Sequence, residues 1–144
     1  KLREMGPESV IIKKGEHGAI LFHEDGMFAL PAYPVTELRD PTGAGDSFAG
    51  ALIGRLASKK SSDFSSIKEA MLYATSTASL TVEAFGCDRL ESAGAKEIQE
   101  RVDSLKKLIS DVSFHKDISD ISRSIIDGNG ALRISKIINK KYGK

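Results

Sequence analysis

The stretch DPTGAGDSFAG, residues Asp40 to Gly50, decides the fold. Gly43 and Gly45 flank Ala44, an acid follows at Asp46, and an apolar helical pattern starts at once. Phe48, Leu52 and Leu56 recur on one helical face with Ile53 beside them, while Ala49, Gly50, Ala51 and Gly54 keep the rest slim. The pattern predicts a buried, closely packed helix from Ala44, ended by Lys59-Lys60-Ser61-Ser62. A Gly-Ala-Gly turn opening a helix aims free backbone N–H groups outward, and the helix dipole adds partial positive charge there. The acid admits two explanations. Asp46 is a first-turn residue stabilised by the dipole, worth about 0.3–1 kcal/mol, with the glycines serving positive φ. Alternatively, it takes a proton from a hydroxyl while the turn holds a phosphate. Phosphoryl transfer needs its charge stabilised and its nucleophile oriented, and general-base help is worth about 10²–10⁴-fold. A P-loop fits less well because no lysine follows at the required spacing, and a dinucleotide fingerprint needs a small residue where Phe48 stands.

Upstream, Val10 to Ile12, Ala19 to Phe22 and Met27 to Leu30 are apolar runs separated by glycine-bearing turns, predicting three strands. The last two form a hairpin turning at Glu24-Asp25-Gly26, and Pro31 and Pro34 end the pairing. Downstream, Ser66 and Glu69 have capping-box spacing and predict a helix from near Ser66. Its apolar face is Ile67, Met71, Ala74, Ala78 and Val82. A third helix is expected over residues 95 to 112, repeating Ile98, Val102, Leu105 and Ile109. The segment after Phe114 reads as an appendage, 115–144, set against a main part, 1–114. Its Ile118, Ile121, Ile125 and Leu132, Ile134, Ile137, Ile138 suit two short amphipathic helices or a flexible tail.

The 144 residues carry 21 Lys and Arg against 20 Asp and Glu, a net charge of +1. That balance gives no global field for nucleic acid or a membrane, so neither is expected as a partner. No apolar run reaches the length of a membrane span, and the N-terminal residues lack a signal-peptide core. The lone Cys87 forms no internal disulfide and suits a reducing, cytoplasmic setting. His17, His23 and His115 lack metal-ligand spacing. A first residue Lys1 with a strand soon after suggests an interior start.

Asp40 to Phe48 resembles the C-terminal signature of the ribokinase-like, PfkB-type carbohydrate kinases, D-[TP]-T-G-A-G-D-[ASTC]-F. The resemblance implies an α/β, three-layer ribokinase-like fold, of which this chain is the C-terminal portion of a mostly parallel sheet, with a hairpin and flanking helices. It implies that Asp46 is the catalytic base and that the amides around Gly43, Ala44 and Gly45 form the anion hole. Lys13 to Ala19, KKGEHGA, resembles the family's [TK]-x-G-x-x-G segment near the nucleotide, which assigns Lys13, Gly15 and Gly18 to cofactor binding. The glycines equally suit a plain turn, and Lys13 a surface position. Ala74 to Gly86 is similar to the family's adenine-lining segment, assigning Ala78, Ser79, Val82 and Gly86. Small residues also serve close helix packing alone. Asp40 corresponds to a position beside a monovalent-cation site, implying K+, and also reads as an Asp-Pro turn.

The resemblance covers about residues 8 to 114. The family's acceptor-recognition residues, lid and magnesium-associated N-x-x-E motif belong to the earlier half, so Mg2+ ligands are expected upstream, as is the surface for a homodimer. The first strand should then expose apolar edge and face. The implied function is ATP-dependent transfer of the γ-phosphate to an alcohol of a sugar or nucleoside. The alternative is a noncatalytic ATP- or ADP-binding module.

Overall fold

The computed structural model describes residues 2–142, the side chain of Phe114 excepted. Strands β1 (Val10–Lys13), β2 (Ala19–His23) and β3 (Gly26–Leu30) form one antiparallel sheet in that order. Ile11 pairs with Leu21, which pairs with Phe28. Because side chains alternate across a strand, β2 turns Ala19, Leu21 and His23 to the buried side. Proline at Pro31 follows β3 directly, and the hairpin lies where the glycine at Gly26 allows φ +145°. Among the described residues, strand β1 pairs with β2 alone, which leaves its outer edge open, and Ile12 is 41% exposed. This is the exposed apolar edge that the sequence led us to expect.

Helix α1 (Ala44–Lys59) and helix α2 (Phe64–Thr81) pack on each other and cover the sheet. The core joins Ala19, Leu21 and Leu30 of the sheet to Phe48, Ile67, Met71, Leu72 and Ala74. Val102 and Leu105 complete it from helix α4 (Ala95–Ser110). Helix α1 is buried on one face only, which corrects the expectation of a buried, closely packed helix. Phe48 is its single buried residue, Leu52 and Leu56 are half-buried, and Ile53 is exposed. A Cβ built on Gly50 or Gly54 would meet nothing within 4 Å, so the slim face has no neighbour to accommodate.

The start of α2 also departs from the expected capping box. Asp63 is the cap, its carboxylate accepting the Ser66 amide at 2.7 Å, and the helix begins two residues before Ser66. Glu69 is drawn away from a capping role by two cations on the last turns of α1. It accepts from Arg55 at 2.6 Å and from Lys59. These bonds, Lys59 first, hold the Glu69 carboxyl below the ordinary glutamate range. Arg55 also lies 4.1 Å over the Tyr73 ring, so α1 and α2 are joined by charge as well as by apolar contact.

A short helix, α3 (Asp88–Ser92), precedes α4, and the third predicted helix is divided after Ser110. Helices α5 (Val112–Ile125) and α6 (Gly130–Tyr142) follow, so the segment after Phe114 takes the helical of its two alternatives. The chain forms two compact units, Lys1–Lys106 and Lys107–Lys144.

Candidate active site

The turn opening α1 is anchored before it begins. The amides of Arg39 and Asp40 donate to the Val82 carbonyl at 2.8 and 3.3 Å, tying the signature to the end of α2. Thr42 then donates its amide to Asp40 Oδ1 at 2.9 Å, closing a local Asx turn. That backbone bond, with the Thr42 side chain adding to it, holds the Asp40 carboxyl below the usual carboxylate range.

Gly43 caps α1 at φ +81°, a left-handed conformation that L side chains rarely adopt. Its carbonyl accepts the amides of Asp46 and Ser47 at 3.1 and 2.9 Å, and Ala44 donates to Pro41 at 3.3 Å. The amides of Gly43 and Gly45 have no hydrogen-bond partner among the described residues. Gly45 is exposed, so its donor faces no competing protein acceptor. Asp46 is exposed and its carboxylate makes no hydrogen bond or ion pair among the described residues. One helical turn thus presents two free donors and one free acceptor.

The end of β1, just before the glycine turn, contributes a cation. Lys13 Nζ donates to the Gly45 carbonyl at 2.8 Å, although 32 positions separate them in sequence. A Cβ on Gly45 would come within 3.0 Å of that ammonium. The fold therefore brings Lys13 together with Gly43, Ala44, Gly45 and Asp46. Gly15 and Gly18 belong to the turn that launches Lys13 and make no hydrogen bond to α1. Their φ values are +59° and +80°, and the turn closes on itself through Lys14 to Gly18 at 2.7 Å and Gly18 to Gly15 at 3.0 Å. Gly18 has a further constraint, because a Cβ there would lie 2.0 Å from the Leu30 carbonyl oxygen.

The end of α2 supplies the third wall. Thr81 Oγ1 donates to Ser47 Oγ at 2.8 Å, fastening the last turn of α2 to the first turn of α1. Ala78 and Val82 are half-buried, and Gly86 is exposed at φ +60° on the loop beyond. Ser79 is buried, and its hydroxyl is committed within the protein. It donates to the Ser76 carbonyl at 2.6 Å and accepts from Arg101 Nη1 at 2.7 Å. Arg101 also donates to both carboxylate oxygens of Glu83 at 2.8 and 2.9 Å, and stacks 4.9 Å over Tyr33. Arg89 bridges Glu83 and Glu97, and its guanidinium holds the Glu97 carboxyl below its ordinary range. Sequence reasoning missed Thr81 and Arg101. Their partners lie 34 and 22 positions away, and no local spacing announces such pairs.

Free amides at a helix N-terminus, a nearby ammonium and the absence of a Cβ on Gly45 together fit a phosphate group. A magnesium site is a different matter: the described residues contain no group of three His, Cys, Asp or Glu able to hold a metal ion.

Comparison with known proteins converges on one group. The sequence model described as pfkB family carbohydrate kinase matches residues 1–93. Aminoimidazole riboside kinase of Salmonella typhimurium is 36% identical over 85 residues, covering 59% of this chain and 26% of that protein. Inositol 3-kinase of Arabidopsis thaliana is 30% identical over 106 residues, covering 74% and 28% respectively. The crystal structure of the Salmonella enterica aminoimidazole riboside kinase, complexed with aminoimidazole riboside and an ATP analog, superposes with a TM-score of 0.62. The two are 31% identical, over 70% of this chain and 33% of that one. The chain spans about a quarter of the length of these curated relatives.

Proposed function

The chain belongs to the pfkB carbohydrate kinase family, and from that premise we propose that it holds the phosphoryl-handling part of an ATP-dependent kinase. The acceptor is an alcohol group of a sugar or nucleoside. The observation that supports this reading most strongly is the pairing of unbonded Gly43 and Gly45 amides with an unpaired Asp46 on the same helical turn.

ATP, when bound, supplies the γ-phosphoryl group. The Gly43 and Gly45 N–H groups donate to phosphate oxygens, and their fixed orientation costs no reorganisation as negative charge develops. Lys13, poised 2.8 Å from the Gly45 carbonyl, adds a full positive charge at the same mouth. Asp46 receives the proton of the acceptor hydroxyl, sharpening the oxygen as a nucleophile. Ala44 keeps the turn narrow between the two glycines. Ala78 and Val82 offer an apolar wall for the purine, and Gly86 lets the following loop approach it. Ser79 positions that wall through its bonds to Arg101 and Ser76, rather than touching the base. Gly15 and Gly18 shape the turn that delivers Lys13. Asp40, held ionised by Thr42, is the ligand offered to a monovalent cation such as K+. The described residues hold no group of three His, Cys, Asp or Glu that could bind a metal ion, and no step is assigned to magnesium. The exposed, unpaired Cys87 suits a reducing compartment such as the cytoplasm.

The test is phosphate transfer from ATP to ribose, inositol and aminoimidazole riboside, measured for this protein and for Asp46→Asn. The proposal expects product with the parent and loss of turnover at preserved nucleotide affinity with the variant; undiminished turnover by Asp46→Asn defeats the assignment. A noncatalytic ATP- or ADP-binding module is the second reading. Nucleotide binding without product from any acceptor decides for it.

A further inference from the structure

The net charge of +1 conceals an uneven division. Residues 1–106 hold thirteen Lys and Arg against sixteen Asp and Glu, whereas residues 107–144 hold eight against four. Within the second unit the excess is concentrated on α6. Arg133, Lys136, Lys140 and Lys141 lie on that helix, and no acidic residue does. Arg133 pairs with Asp127, but Lys136 and Lys140 have no carboxylate partner among the described residues. Lys141 lies 5.5 Å over the Tyr142 ring.

Position on the helix separates charge from apolar surface. Ile134, Ile137, Ile138 and Tyr142, at i, i+3, i+4 and i+8, share one face, and Arg133, Lys136 and Lys140, at i, i+3 and i+7, share another. The apolar residues are 51–71% exposed, so protein covers little of that face. Helix α5 repeats the design with Ile118, Ile121 and Ile125, 40–76% exposed in one stripe. Its acids, Asp117 and Asp120, fall off that stripe.

We propose that α6 lies flat on an anionic lipid surface, its isoleucine face entering the headgroup boundary and Lys136, Lys140 and Lys141 meeting lipid phosphates and carboxylates. A long amphipathic helix with bare cations beside an exposed apolar face matches such a surface in both polarity and charge. A second copy of α6 would match the apolar face but oppose like charges. Nucleic acid would match the cations and leave the isoleucines in water. Lying in the interface needs no spanning segment, and no described helix is long and apolar enough to cross a membrane. Lys141, at i+7 from Ile134, falls on the apolar face itself, and its long aliphatic stem allows its ammonium to reach outward to headgroups.

Co-sedimentation of the 144-residue chain with phosphatidylcholine vesicles, with and without phosphatidylserine, tests the proposal. The chain is expected to sediment only with the phosphatidylserine vesicles, and to be released by high salt. Lys136→Gln with Lys140→Gln should lower partitioning about thirtyfold, and Ile137→Asp should abolish it. All three positions are exposed, and an unchanged melting temperature shows that these variants leave the rest folded. Absence of sedimentation, equal sedimentation with pure phosphatidylcholine, or retention by duplex DNA in place of vesicles overturns the proposal. A stable dimer that Ile137→Asp dissociates overturns it as well.

Discussion

Two glycine turns meet at the candidate site, and they are glycine-rich for opposite reasons. In the turn between β1 and β2, Gly18 is required by the protein itself, because a Cβ would lie 2.0 Å from the Leu30 oxygen and the local amides are already bonded. In the turn opening α1, Gly45 has no backbone neighbour close enough to demand glycine. The nearest atom to its missing Cβ is the flexible end of Lys13 at 3.0 Å, and its amide is free. A glycine whose space is filled by protein serves the fold. One met only by the flexible end of a side chain, with its donor left free, serves something that is not protein.

Substitutions at the two turns should therefore separate stability from function, and Asp46 sets the upper end of the scale. Asp46→Asn is expected to lower turnover about 10²–10⁴-fold with the melting temperature held; a fall in melting temperature of matching size would show that the acid serves the helix instead. Gly18→Ala comes next. Backbone strain alone costs roughly 1–3 kcal/mol there, and the collision with Leu30 adds to it, so urea denaturation should show a chain with most of its stability lost. Gly45→Ala carries the opposite sign. Alanine in a helix gains about 0.5–1 kcal/mol over glycine, so the melting temperature should hold or rise while ADP affinity falls, as read by titration calorimetry. Parallel losses of both would erase the distinction between the turns.

The smallest effect lies away from both turns, on the ion pairs joining α1 to α2. The Glu69 carboxyl is held below the ordinary glutamate range by Lys59 and Arg55. A group with a depressed folded-state pKa contributes stability above its unfolded value and loses it as pH falls through the folded one. The melting temperature should thus decline on the acid side of the ordinary glutamate range, and Glu69→Gln should flatten part of that decline. Nucleotide affinity near neutrality should not respond to Glu69→Gln.

The strands, the hairpin and the start of α1 were legible because their signals are local: apolar runs, glycines at fixed offsets and prolines that end pairing. The Asp63 cap was hidden because Ser66 and Glu69 satisfy the spacing of a capping box, and only the approach of Arg55 and Lys59 shows where Glu69 goes. The five-residue α3 is too short to display a helical period. At the site, Asp46 and its glycines follow from the quoted stretch. The Lys13 contact depends on β1 lying near α1, and the engagement of Ser79 depends on α4 placing Arg101. The two-unit charge division was concealed by a total that averages it away.

The most direct test follows the two open donors themselves. With glycine amides labelled with nitrogen-15, ADP titration should shift the Gly43 and Gly45 resonances first and furthest, with Gly18 and Gly86 moving less. Gly43 and Gly45 signals that stay fixed while ADP shifts others would contradict the account.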